Sequence, residues 1–468
     1  MRPRISAARV NVINSGTIVS DNIGIATGAG TITNSGTIIA GSGTAIRFVS
    51  GLSDTLTVLP GARFGGLVDF GGGADRVDFG PGNWILNVAN FNAGLSTITT
   101  AGTPYFVTPN RIVVADVSSF GAVNRAMLDI TGWISSVLPD APVFEPATSN
   151  VVNAFAAIEA ASPRVNEAFS NFPSALPYAP TPVFKGGMVQ DSAGHAFWAK
   201  GFGGRREQDT TENFFGSITK GYGGAIGYTH RFTPAFQLGG FAGGSSNNTA
   251  MDFNLGSVDI DTTFGGVHAR TLFGPAFLDL AFIGGNLDNT SKRNIGGGLN
   301  LETASASYGG WFVNPVAALG YRHAIADGVT LTPAIKLRYL KSQFDDYVET
   351  GSSANLTVSG WDSAVFEERA EVTLASVQYF GGDSRILFRM TGGALAQQRQ
   401  GDSDVGLTFA GQSLVALAPD QRRVNGWYGS AGFDWQKAAF AVFASGEITD
   451  TSDSAVTYAG KGGLRMVW

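Results

Sequence analysis

The sequence predicts an all-β chain in two unlike halves. A stacked β-solenoid comes first, a closed antiparallel β-barrel of twelve membrane-spanning strands comes last, and a short helical stretch joins them. Three observations carry this reading. Residues 10–100 repeat about every twenty residues. Residues 195–468 fall into twelve amphipathic segments whose connections alternate long and short. The chain ends on an aromatic residue that closes the last segment.

Composition sets the limits. The 468 residues include 64 glycines and no cysteine, with a net charge of -6. Charged residues are 15%, against about 25% in soluble domains. Acidic residues outnumber basic ones and no Lys/Arg block occurs, which argues against nucleic acid as a partner. Without cysteine there is no disulfide framework and no thiolate metal site. No run of about 18 apolar residues suggests a membrane helix. Arg2, Arg4 and Arg9 precede no apolar core, so no signal peptide is read, and the true start is expected upstream of Met1.

In the first half, Ile13–Ile18 reads INSGTI and Thr33–Ile38 reads TNSGTI. Asp54–Gly61 (DTLTVLPG) and Asp75–Gly82 (DRVDFGPG) follow. With Asn14, Asn34, Asp54 and Asp75 as phase marks, about four coils are expected. Each buries its aliphatic residues only by stacking on the next. The Gly71–Asp75 run (GGGAD) has the chemistry of a calcium-roll turn but lacks the nine-residue recurrence, so it reads as a plain turn and no metal is assigned.

Two helical patterns follow. Val123, Met127, Ile130, Ile134, Val137 and Leu138 share one helix face, and Pro139 ends that run. A second, Ala-rich pattern covers 149–171. Prolines at 173, 177, 180 and 182 mark a linker. A thin helix, about 10–12 Å across, fits inside a barrel. The sequence leaves open which of the two fills the pore, and residues 149–171 are favoured because they precede the first strand more closely.

In the second half, long connections at 207–220, 248–256, 289–303, 346–363 and 400–423 alternate with tight turns such as Gly274–Pro275 and Lys437–Ala438. Faces alternate as well. Trp427, Phe433 and Trp435 oppose Tyr428, Ser430, Asp434 and Gln436, and Ile335 and Leu337 oppose Lys336 and Arg338. In a membrane barrel the apolar face meets outer-membrane lipid and the polar face lines a wet lumen. The expected lumen charges are Asp279, Lys336, Arg338, Glu367, Arg369, Glu371, Asp434, Lys461 and Arg465. Both signs occur, so they are read mainly as pairs that stabilise the barrel. The final run sets Lys461, Gly463, Met466 and Trp468 in a polar, glycine, apolar, aromatic-last order.

That terminal run, the stretch Gly310–Glu349 with LTPAIKLRY and FDDYVE, and the junction Asp116–Leu138 resemble the type V secretion autotransporters, and the junction resembles the rhizobial-type members. The resemblance implies a translocator barrel, a helix threading its pore and a β-helical passenger. It also implies that the C-terminal strand is read by the barrel-assembly machinery. The combined expectation is a right-handed β-solenoid passenger fragment over 1–115, a helical junction and linker over 116–190, and a barrel over 191–468. The chain would be monomeric, in the outer membrane, displaying an adhesin-like passenger to an unknown surface ligand. Some family members cleave after an asparagine of the pore helix. Residues 149–171 hold no Asn-Asn pair, so cleavage is not assigned.

No catalytic set is read. All four histidines lie in the barrel half, so residues 1–190 cannot supply a Ser-His-Asp triad. No cofactor fingerprint is found and no enzyme activity is expected. The alternative reading is a channel or porin-like barrel with a structural N-terminal domain.

Overall fold

The computed structural model describes residues 5–468 except 101, 137, 139–193, 212–214, 381–383, 403, 419 and 420. Short β-strands stack in parallel from Ile5 to Thr99. Their inward aliphatic and aromatic residues form one dry core, with Ile25, Ile32, Ile38, Leu56, Val68, Phe70 and Val77 almost fully buried. Phe48 stacks on Phe70 of the next coil at 5.6 Å between ring centroids, and Phe70 meets Phe91 edge to face at 5.1 Å.

The repeat phase differs from the sequence expectation between the second and third coils. Asn14 pairs with Asn34, a shift of 20, but Asn34 pairs with Val58, a shift of 24. There are therefore two ladders rather than one. In the first, Asn14 Nδ2 donates to Asn34 Oδ1 at 2.8 Å. In the second, Gly30 N donates to Asp54 Oδ1 at 2.7 Å, Asp54 N to Asp75 Oδ1 at 3.1 Å, and Asp75 N to Ser96 Oγ at 3.1 Å. Asn and Asp both satisfy turn amides, so composition alone did not separate the two corners.

The antiparallel hairpin Tyr105–Thr108 and Arg111–Val114 closes the solenoid base by pairing with Trp84–Asn87. Helix α1 (Ser118–Ser135) follows at once. Buried residues surround it on every side, as expected of a helix enclosed by protein rather than lying on a surface.

Twelve antiparallel strands then form the barrel: His195–Gln208, Ser217–Thr233, Phe236–Met251, Gly256–Phe273, Ala276–Ile295, Glu302–Tyr321, Val329–Phe344, Trp361–Phe380, Ser384–Gln400, Arg423–Lys437, Phe440–Thr451 and Ala455–Val467. The last pairs with the first, from Val467 against Ala196 to Ala455 against Gln208, so the sheet has no free edge. Ile226, Val267, Leu280, Phe282, Leu319, Ile335, Met390, Trp427 and Leu464 point outward and are more than half or nearly half exposed. An apolar belt on the outside and charge on the inside is the inverse of a soluble barrel.

Two of the expected long loops are largely strand. The hairpins around 252–255 and 296–301 extend the sheet beyond 248 and 289. Two others build a small sheet of their own from Tyr347–Val348, Thr357–Val358, Asp404–Phe409 and Gln412–Leu417. No helix among the described residues is long and apolar enough to cross a membrane, which says nothing about strands.

Candidate functional site

The site is the barrel lumen with α1 inside it. At the entry, Asp116 Oδ1 accepts from Ser118 N at 3.0 Å and Oδ2 accepts from Ser118 Oγ at 3.2 Å. A carboxylate there satisfies an otherwise free amide and opposes the positive end of the helix dipole. Burial nonetheless pushes the Asp116 carboxyl up to about 6, against the bonds from Ser118 and the nearby Arg293 charge that lower it. Asn83 Oδ1, from the solenoid base, accepts from Asp116 N at 2.8 Å.

Deeper in, charges clamp the helix. Arg206 Nη2 donates to Asp453 Oδ2 at 2.7 Å, Arg125 Nε lies 3.7 Å from the same oxygen, and Asp129 Oδ2 is 3.8 Å from Arg206 Nε. Arg125 also donates to Gln397 Oε1 at 3.2 Å and to Gln421 O at 3.0 Å. On the opposite wall, Arg338 Nη1 donates to Leu128 O at 2.9 Å and to Thr131 Oγ1 at 3.2 Å. Its Nε and Nη2 donate to the two oxygens of Glu367 at 3.2 and 3.0 Å. Glu367 is a hub: Arg369 Nε and Gln397 Nε2 also donate to it, at 3.0 and 2.8 Å. Lys461 Nζ donates to Ser136 O at 2.7 Å, where the carbonyl end of the helix favours a cation.

Apolar packing completes the fit. Trp133 lies against the wall where Gly204 and Gly221 leave room. A Cβ on Gly204 would stand 2.5 Å from its ring, and one on Gly221 would stand 2.8 Å away. Trp198, Phe202, Phe241 and Phe264 line this side, in one continuous buried cluster with α1, the solenoid base, the barrel-strand residue Trp361, and Leu407 and Phe409 of the small loop sheet. Around the second half of the helix and past its end a cavity of about 320 Å³ remains.

All nine sequence-selected charges line this space. Lys336 pairs with Glu371 at 2.8 Å, Arg369 with Glu447 at 3.0 Å, Arg465 with Asp434 at 3.3 Å, and Arg270 with Asp279. The four C-terminal positions separate. Lys461 faces the lumen, and Gly463 sits under the Phe443 ring. Met466 and Trp468 face outward, and Trp468 stacks on His195 with centroids 6.2 Å apart. The sequence reading missed Arg125, Asp129, Arg206 and Asp453. Arg206 could have been found, since it alternates with Arg205 on the first strand, but Asp453 sits in a loop with no pattern around it.

Among the described residues the lumen holds α1, the first of the two helical patterns, and residues 149–171 lie outside the described residues. The fit of α1 is chemical: it offers Trp133 to a glycine notch and polar atoms to Arg338.

A closed twelve-strand barrel with an apolar exterior and a helix in its lumen finds its counterpart in sequence. The family model described as Autotransporter beta-domain matches residues 197–460, more than half of the chain. The chain belongs to the autotransporter family. Its barrel is an outer-membrane translocator domain. Similar solved structures include the translocator domain of autotransporter NalP from Neisseria meningitidis, at 15% identity and TM-score 0.48, covering 68% of this chain and 98% of that one. The β-domain of the Bordetella autotransporter BrkA is 14% identical with TM-score 0.46, covering 59% of this chain and 100% of that one. The transport unit of AIDA-I from Escherichia coli is 10% identical with TM-score 0.39, covering 60% and 92%. No curated protein matches the chain.

Proposed function

We propose that this autotransporter barrel exports its own N-terminal solenoid, anchors it at the cell surface, and displays it for adhesion rather than catalysis. The observation that carries this reading is continuity. The solenoid base, the Asp116 entry and α1 form one unbroken path from the long-loop side into the lumen. Long loops face the outside in barrels of this kind. Coils that fold outside release free energy on that side only, which biases movement outward without a nucleotide.

The Thr, Ser and Asn on the solenoid's outer faces suit polar contacts with a surface ligand, and residues 1–190 hold no histidine or cysteine. We further read the C-terminal strand as the segment that engages the assembly machinery, and the protein as a monomer without cofactor. The channel reading is weakened by the ion pairs that hold α1 in place.

The test uses a signal peptide fused in front of the full chain and an epitope placed after Gly43, which is exposed and has nothing within 4 Å of its Cβ position. Intact cells are probed with antibody and external protease, while heat-dependent gel mobility reports the folded barrel. Labelling and cleavage support export. A protected epitope beside a folded barrel overturns it.

A further inference from the structure

Two of the four histidines meet on the outside of the barrel. His195 opens the first strand, and His230 lies near the end of the second, directly opposite it in the antiparallel register. Tyr228 stands opposite Phe197, one diagonal step away. Alternation sets all three on the outer face: Phe197, Ile226 and Tyr228 are exposed, while Ala196, Trp198 and Thr229 are buried on the lumen side. Directly opposed side chains have Cβ atoms about 4.5–5.5 Å apart, and an aromatic ring spans the diagonal. The group forms at the tight-turn end of the barrel, beside the seam where Trp468 N donates to His195 O at 3.0 Å and the Trp468 ring stacks on His195.

An aromatic girdle accounts for Tyr228, Phe232 and Trp468 at this depth. It does not account for where the nitrogens point. His195 Nδ1 lies 3.3 Å from His230 Nδ1 and also in hydrogen-bond contact with the Tyr228 hydroxyl. An imidazole nitrogen carries one in-plane lone pair or one proton, so it completes only one of those two contacts at a time. A cation satisfies all three atoms together. Two nitrogens on a tetrahedral Zn²⁺ stand about 3.3–3.4 Å apart, from bond lengths of about 2.0–2.1 Å. A right-angled pair, as in square-planar or octahedral sites, stands about 2.9 Å apart. The observed 3.3 Å matches the tetrahedral edge. Gly194 adjoins the pair without a side chain to cover it; a Cβ there would stand 3.7 Å from His230 Nδ1.

We propose that His195, His230 and Tyr228 form a zinc site on the outer rim of the barrel, with water as the fourth ligand. The imidazoles bind neutral through Nδ1. The Tyr228 phenol releases its proton to solvent and binds through oxygen. The ion is structural: it ties the first two strands together beside their seam with the last. The unfolded chain does not hold the three ligands together, so Zn²⁺ stabilises the closed barrel.

The test uses the full chain without a histidine tag, folded in detergent and checked by heat-dependent gel mobility, and titrates it with ZnCl₂ in a calorimeter. The expected result is one Zn²⁺ per chain, not displaced by excess Mg²⁺. His195→Gln and His230→Gln each weaken binding by at least about tenfold, and Tyr228→Phe weakens it less. His323→Gln removes an exposed histidine on a different hairpin and leaves binding unchanged. Co²⁺ in place of Zn²⁺ gives the strong visible absorption of a four-coordinate ion. No uptake by the wild type, uptake unchanged in both His195→Gln and His230→Gln, loss in His323→Gln, or the weak spectrum of six-coordinate cobalt overturns the site. Should either variant fail to fold, labelling of the wild type with diethyl pyrocarbonate, mapped by mass spectrometry, decides instead. Protection of His195 and His230 by Zn²⁺, with His323 still labelled, supports the site, and labelling unaffected by Zn²⁺ overturns it.

Discussion

Arg338→Met tests whether the lumen charges hold the helix or merely fill space. The wild-type guanidinium makes four hydrogen bonds, two to Glu367 and two to α1. Met keeps most of the volume and none of the donors. Glu367 is then left in a buried site with Arg369 and Gln397 as its remaining partners. Removing one partner of a buried ion pair costs about 3–5 kcal/mol, and the surviving partners argue for the lower end. The lost contacts to Leu128 O and Thr131 Oγ1 loosen α1 as well. We expect a loss of about 3 kcal/mol in urea unfolding of the barrel in detergent, followed by tryptophan fluorescence. The double variant Arg338→Met with Glu367→Gln removes the stranded charge and should recover to within about 1 kcal/mol of wild type. A single variant within about 0.5 kcal/mol of wild type, or a double variant no better than the single, would refute the hub.

Three further outcomes follow from the same geometry. Trp133→Ala opens a cavity against Gly204 and Gly221 and should cost about 3–5 kcal/mol in the same unfolding assay. Gly204→Val, which pushes the ring out instead, should destabilise in the same direction, and additivity of the two would show that they do not share a contact. In the solenoid, burial pushes the Asp75 carboxyl up to about 6, helped by the Asp54 charge and opposed by the Asp54 amide bond. The folded state therefore holds the proton more tightly than the unfolded state, so solenoid stability falls as pH rises from about 4 to about 6 and is flat above. Two pH units correspond to about 3 kcal/mol, reduced to about 1 kcal/mol by solvent screening at the turn. Thermal melts of the solenoid at pH 5 and pH 7 should show this fall, and Asp75→Asn should flatten it; equal melting temperatures for the wild type would sink the reasoning.

Much of the architecture was legible because lipid imposes a simple rule. Every strand must turn one face to hydrocarbon, so Ile335 and Leu337 alternate with Lys336 and Arg338 along the whole segment. The same alternation located all nine lumen charges. What was not legible depends on contacts between distant segments. Nothing near Ser118 or Trp133 in sequence says that Gly204 and Gly221 form a notch for the ring. The two ladders of the solenoid were merged because asparagine and aspartate serve the same turn chemistry, and only register separates Asn34 from Asp54. The loop Gly296–Gly298 reads as an ordinary glycine turn until Arg63 and Trp84 are beside it.

Helix α1 lies in the lumen of an outer-membrane translocator and is held there by both walls. Single-channel conductance in planar bilayers tests it most directly, with the purified full chain beside the Arg338→Met and Trp133→Ala variants. Small or flickering currents are expected for the full chain, and longer, larger openings in both variants as the helix loosens. Large, steady conductance from the full chain, unchanged by either substitution, would contradict it and favour an open channel.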